Sequence, residues 1–263
     1  MVRLIRLVAT DLDGTVVRTD GTISARTVAA LRRVEEAGAT VVFVTGRPPR
    51  WMKPIVEQTG HTGLAICANG ALVYDLHSEQ VVERFELDVE RAGEVVRLLR
   101  EGLPGAAFAC ESVTDFAHEP DYLPRQVDDG IRRAAVGELI REPVFKILVR
   151  HERPDADAVL ARARELLGDR VEVTHSTRGE TLLEISAGGV SKASALAGMS
   201  AERGIGADEV LAFGDMPNDL PMLAWAGTSY AVANAHPDVL AAVTRRTASN
   251  DDDGVAQVLE QLF

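Results

Sequence analysis

Asp11 and Asp13 stand two residues apart in Asp11-Leu12-Asp13-Gly14-Thr15, just beyond the apolar run Leu4 to Ala9. Burying an unpaired carboxylate costs several kcal/mol, so this pair is expected to face a cavity, a cation or a substrate. Other polar residues fall at comparable places. Thr45-Gly46 ends the run Thr40 to Val44, Lys192 follows Ser191 at a helix start, and Gly214-Asp215-Met216-Pro217-Asn218-Asp219 ends the run Val210 to Phe213. Acidic residues with a backbone oxygen make a hard oxygen site of the kind Mg²⁺ takes. A lysine and a hydroxyl aimed at the same point suit a phosphoryl group. A carboxylate in that setting can attack phosphorus, and its neighbour can protonate the leaving oxygen and later deprotonate water. Each residue alone also has an ordinary use, as a helix cap, a turn former or a solvated charge; their joint occurrence at successive strand ends is what those uses leave unexplained.

The elements that must carry these residues read as an α/β chain. Leu4 to Ala9, Thr40 to Val44 and Leu64 to Ala68 are continuous apolar runs, as buried parallel strands are. The first helix is expected to start at Ser24 as N-cap, with Val28, Leu31 and Val34 on its apolar face, and to stop near Gly38. A further helical stretch is expected at Trp51 to Thr59. The alternation predicts a doubly wound, mainly parallel sheet. From about Asp88 the order changes to helices and strands joined by short turns, including a weak helix near Asp128 to Val136, a strand Val144 to Val149 and a turn at Arg178-Gly179. An antiparallel sheet with helices on one face is expected there. The α/β rhythm resumes at Ser191. Residues 1–84 and 188–263 are therefore expected to form one discontinuous domain, with 85–187 inserted as an α+β domain.

The chain has 263 residues, 46% hydrophobic and 26% charged, with a formal net charge of −12. That charge opposes a broad nucleic-acid or anionic-membrane surface but not a small anion in a locally positive pocket. Cys67 and Cys110 are too few for a disulfide framework or a cysteine zinc site. The first apolar run is too short for a signal peptide, and no run reaches the roughly 18 apolar residues of a spanning helix. A cytoplasmic protein is the expectation, with neither nucleic acid nor membrane as partner and a monomer or homodimer as assembly.

On these motifs the chain resembles the haloacid dehalogenase superfamily of phosphatases, in its Cof-type branch with an α+β cap. Asp11 to Thr15 matches the family's Asp-x-Asp-Gly-Thr, and Thr45 its Ser or Thr at the end of strand two. Lys192 matches its lysine, and Gly214 to Leu223 its Gly-Asp-x-x-Asn-Asp-x-x-Met-Leu. The Asn69-Gly70-Ala71 turn and the segment Asn250 to Val255 are also similar to that branch. One departure is Ala193, where the family usually has glycine. The resemblance implies Asp11 as nucleophile and Asp13 as general acid/base. Thr45, Gly46, Lys192 and Asn218 would bind the phosphoryl group. Asp11, the Asp13 backbone carbonyl and Asp215 would ligate Mg²⁺, with Asp219 beside them, directly or through water. It also implies a small phosphorylated metabolite as substrate, sugar phosphates foremost. The inserted domain would act as a lid carrying specificity, with the turn His175 to Glu180, including Arg178, and the strand of Lys146 as candidates. A phosphomutase is the nearest alternative within enzymes. A signalling receiver also uses Asp, Thr, Lys and Mg²⁺, but its acidic pair precedes the phosphorylated aspartate.

Overall fold

The computed structural model describes residues 4–124, 131–152, 155–175 and 180–263. The chain divides into two compact units, Met1–Glu83 with Ser191–Phe263, and Arg84–Val190.

The discontinuous unit begins with β1 (Leu7–Thr10), whose four residues are all buried. Leu4, expected within this strand, is instead 75% exposed and lies outside it. Helix α1 (Ala25–Glu36) starts at Ser24, whose hydroxyl accepts from the Thr27 N–H, and buries Leu31 and Val34. Strand β2 (Thr40–Val44) follows. The helical stretch expected from Trp51 divides into a 3₁₀ turn at Pro49–Trp51 and α2 (Lys53–Thr59). Next come β3 (Leu64–Cys67), β4 (Leu72–Asp75) and β5 (Gln80–Arg84).

The inserted unit contains α3 (Val89–Gly102), β6 (Ala107–Glu111), β7 (Phe116–His118), β8 (Arg132–Arg133), α4 (Val136–Leu139), β9 (Lys146–His151), α5 (Ala156–Leu167), β10 (Val171–Thr174) and β11 (Thr181–Ala187). Its strands lie in the order β10-β11-β9-β6-β7-β8, antiparallel except for the parallel β7–β8 pair. Alternation along the strands separates two faces. Phe108, Cys110, Ile147, Val149, Leu183 and Ile185 pack with α3 and α5 in an apolar core. The helix expected near 128–136 is corrected by the described residues. Arg132–Arg133 is extended and pairs with β7, and α4 begins only at Val136. Arg132 is held extended by its own guanidinium, which donates to Asp115 and to the carbonyls of Glu138 and Leu139; residues 125–130 lie outside the described residues.

The chain returns to the first unit through α6 (Lys192–Glu202), β12 (Val210–Gly214), α7 (Leu220–Trp225), β13 (Thr228–Val232), α8 (Pro237–Ala242), β14 (Arg246–Thr247) and α9 (Gly254–Leu262). Among the described residues its sheet has eight strands in the order β14-β13-β12-β1-β2-β3-β4-β5. The pairs from β14 across to β3 are parallel, and β4 runs antiparallel to β3. The doubly wound α/β core with an inserted α+β unit is thus the architecture. No described helix is long and apolar enough to cross a membrane.

Candidate active site

Five neighbouring parallel strands, β13-β12-β1-β2-β3, bring their C-terminal ends to one edge of the sheet, where open α/β sheets bind ligands. Asp11 follows β1, Thr45 follows β2 and Asp215 follows β12. All three are buried, at 6%, 0% and 3% exposure.

Lys192 joins them. Its Nζ donates to Asp11 Oδ1 at 2.5 Å and to Asp219 Oδ1 at 2.6 Å, and the residue is 1% exposed. The helix does not explain this placement, because a cation in the first turn opposes the helix dipole. The carboxylates explain it. A reciprocal cap fixes the helix start: the Ser191 hydroxyl accepts from the Ser194 N–H and Ser194 Oγ from the Ser191 N–H. Ala193, at the position where glycine is usual, is an ordinary helical residue of α6.

Both oxygens of Asp219 have partners in the protein. Its Oδ2 accepts from the backbone N–H groups of Asp215 and Met216, both at 2.9 Å, while its Oδ1 takes the lysine. Gly214 permits this, since a β-carbon there would lie 2.6 Å from Asp219 Cβ. Asp215 is held from the first loop, where the Thr15 hydroxyl donates to its Oδ1 at 3.1 Å. Gly14 has φ +82°, and a β-carbon on it would lie 2.6 Å from Asp215 Oδ2; the glycine serves both the turn and the close approach.

Asp11, Asp215 and Asp219 each offer an oxygen within 4.8 Å of the others, all of them buried. Asp11 and Asp219 share the Lys192 ammonium, and Asp215 lies beside them, so the carboxylates outnumber the ammonium that bridges them. Burial pushes the Asp11 carboxyl well above its usual range, Asp219, Asp215 and Asp13 push the same way, and Lys192 only partly offsets them. Burial pulls the Lys192 ammonium down, but Asp11 and Asp219 outweigh it and hold it charged. A hard divalent cation fits this donor set, all oxygen and short of positive charge.

Asp13 differs from Asp11. Its side chain is 56% exposed and takes a two-pronged ion pair from Arg47, Nε at 2.7 Å and the terminal nitrogen at 2.5 Å. Thr45 Oγ1 accepts from the Arg47 N–H at 3.1 Å, and Gly46 between them is half-buried. Asn218 is 6% exposed; its amide nitrogen donates to Asn69 Oδ1 at 3.0 Å, and its buried oxygen has no partner among the described residues.

The structure therefore gathers Asp11, Asp13, Thr45, Gly46, Asp215, Asn218 and Asp219 at the strand ends, with Lys192 among them. Arg178 lies outside the described residues. In the inserted unit His175 is buried against Asp157, and Lys146 is buried and donates to Glu184 Oε2 at 2.6 Å. Two residues, Arg47 and Asn234, had no place in the sequence-based expectations. Arg47 stood beside Thr45 without a role. Asn234, just past β13, donates to the Gly14 carbonyl at 2.7 Å and accepts from the Asn250 N–H at 3.0 Å. Asn250 in turn donates to the Val17 carbonyl at 2.9 Å. A polar residue just past a strand was the available signal for Asn234, as it was for Asp11 and Asp215.

The family model described as haloacid dehalogenase-like hydrolase matches residues 8–259. The chain is 27% identical to the 5-amino-6-(5-phospho-D-ribitylamino)uracil phosphatase YitU of Bacillus subtilis, over 98% of this chain and 97% of the relative. It is also 27% identical to the pyridoxal phosphate phosphatase YbhA of Escherichia coli, over 97% of each. A solved haloacid dehalogenase-like hydrolase of B. subtilis shares the fold at a TM-score of 0.84, with 23% identity over 98% of this chain and 100% of that one. With the strand-end carboxylates and the buried lysine in place, the chain belongs to the haloacid dehalogenase-like hydrolases, as a phosphatase of the Cof-type branch.

Proposed function

We propose that this protein is a Mg²⁺-dependent phosphomonoesterase for small phosphorylated metabolites, sugar phosphates foremost, working through a phosphoryl group on Asp11. The observation that carries the reading is the Lys192 bridge between Asp11 and Asp219 inside a buried cluster with excess negative charge. Asp11 and Asp215, with the Asp13 carbonyl, would hold the Mg²⁺ ion, which when bound supplies neutralisation of phosphoryl charge. Lys192 keeps Asp11 aimed and, with the Thr45 hydroxyl, Gly46 backbone and Asn218 amide, holds phosphoryl oxygens. Asp11 attacks phosphorus as the ester bond breaks. Asp13, in its protonated form, delivers that proton to the leaving oxygen, then takes one from the water that cleaves the acyl phosphate, returning Asp11 and releasing inorganic phosphate. The metabolite class is supported by the names of the B. subtilis and E. coli relatives, which act on a phosphoribityl compound and on pyridoxal phosphate.

The test is a panel of sugar phosphates, a phosphoribityl compound and pyridoxal phosphate, comparing kcat/KM with Mg²⁺ and after chelation. Mg²⁺-dependent phosphate release is expected, best on a sugar phosphate. Release that chelation leaves untouched would overturn the metal role, and preference for a phosphate not borne on a sugar would overturn the substrate class.

Metal binding also carries a pH signature. A carboxyl whose folded pKa is raised makes the metal-free fold less stable as pH rises through that value, and the cation binds only the ionised form. The rise in Tm produced by added Mg²⁺ is therefore expected to grow as pH rises. A rise that does not change with pH would contradict the assignment of the cluster as the metal site.

A further inference from the structure

The turn after β3 belongs to no catalytic step, yet it touches three of the segments that build the site. Ala68, Asn69 and Gly70 all have positive φ, at 53°, 58° and 104°. For alanine this is an unfavourable conformation, retained only where the surroundings over-determine it. They do so here. The Ala68 N–H donates to the Arg47 carbonyl at 2.9 Å and the Asn69 N–H to the Thr45 carbonyl at 3.0 Å, fixing the turn to the segment that carries the phosphoryl-binding hydroxyl. Gly70 packs on the start of α6 so closely that a β-carbon would lie 2.2 Å from the Ser191 carbonyl oxygen and 3.2 Å from the Lys192 nitrogen. The Asn69 side chain then reaches the third segment, accepting from Asn218 Nδ2 at 3.0 Å. Both asparagines are buried, at 5% and 6% exposure.

Resting on the phosphatase reading above, we propose that Asn69 is a positioning residue of the phosphoryl site. Its carboxamide fixes the rotation of the Asn218 amide, while its left-handed backbone keeps the turn seated against the Thr45 and Lys192 segments. Asn69 itself does not touch substrate. The turn makes Asn the suitable residue, because Asn adopts left-handed φ more readily than other side chains and carries an acceptor. Asn218 alone has one settled hydrogen bond and an unpartnered buried oxygen. Without Asn69 its amide is free to turn over.

The test is a double-mutant cycle on Mg²⁺-dependent hydrolysis of an aryl phosphate, using Asn69→Gly, Asn218→Ala and both together. Glycine permits the same left-handed backbone and removes the carboxamide, including the oxygen that accepts from Asn218. Asn69→Gly is expected to lower kcat/KM by about tenfold. The double variant should match Asn218→Ala alone, because the effect of Asn69 passes through Asn218. Losses that multiply, or a kcat/KM for Asn69→Gly within about twofold of the parent, would overturn the proposal. Should glycine abolish a cooperative melt, Asn69→Ser, too short to reach Asn218, takes its place in the same cycle. An unmodified protein that fails to hydrolyse the aryl phosphate would count against the phosphatase reading, whereas an active one with an additive cycle counts against Asn69 alone.

Discussion

Lys192→Met is expected to lose both activity and stability. The lysine is 1% exposed, and its partners Asp11 and Asp219 have side chains 8% and 0% exposed, so solvent does little to screen the interaction. Methionine fills a similar volume but leaves Asp11 and Asp219 without the ammonium that bridges them. Removing one member of a buried ion pair costs about 3–5 kcal/mol, because the remaining charge stays buried and uncompensated. A domain of this size loses about 2–4 °C in Tm for each kcal/mol, so a drop on the order of 10 °C is expected by calorimetry of the metal-free protein. Saturating Mg²⁺ should restore part of it, since a cation in the cluster replaces some of the missing charge. Activity should not return with it. The phosphoryl oxygens lose a fixed, preorganised donor, for which a loss of about 10³-fold in kcat is expected. A stable, active Lys192→Met protein would show that the lysine is merely tolerated in the cluster.

Asp11→Asn is expected to fall further in activity while moving stability the other way. The amide keeps the shape of the side chain and an oxygen to accept from Lys192, but it cannot donate an electron pair to phosphorus. A fall on the order of 10⁴-fold or more is expected for a lost nucleophile. The same change removes one negative charge from a cluster that has too many, where burial and three neighbouring carboxylates already oppose ionisation of Asp11. The metal-free variant should therefore melt no lower than the parent at neutral pH, and Mg²⁺ should raise its Tm less. The contrast in stability between these two substitutions, with activity lost in both, separates a catalytic cluster with excess negative charge from a structural ion pair.

Much of this arrangement is legible in residue order because parallel strands leave a local mark. Continuous apolar runs locate β2 and β12 closely, and a polar residue just beyond each run must lie at the carboxyl edge of the sheet. Asp11, Thr45 and Asp215 occupy such positions whatever the strand order. Ser191 and Lys192 are legible for another reason, a hydroxyl N-cap ahead of a helical run. What residue order does not show are pairings across long separations. Asn69 and Asn218 are 149 positions apart, and Asn234 and Gly14 are 220 apart; no local periodicity encodes which amide meets which carbonyl. Arg47 was in view beside Thr45, but its two-pronged grip on Asp13 depends on β1 and β2 being neighbours in register. The error at Arg132–Arg133 has a related cause, since a two-residue strand has no alternation to read and its extended form is stabilised by Asp115 and two carbonyls elsewhere in the inserted unit.

The central claim is that Asp11 carries the phosphoryl group during turnover. Asp13→Asn offers the cleanest view of it. An aryl phosphate has a leaving group good enough to depart without a proton from residue 13, whereas hydrolysis of the acyl phosphate still needs that residue as base. The phosphorylated enzyme should then accumulate. Acid quenching of Asp13→Asn during turnover, followed by peptide mass spectrometry, is expected to find one phosphoryl group on the peptide containing Asp11, localised to that residue and absent from the Asp11→Asn/Asp13→Asn double variant. A phosphoryl group on another side chain, or continued phosphate release with Asp11 unmodified throughout, would contradict the account.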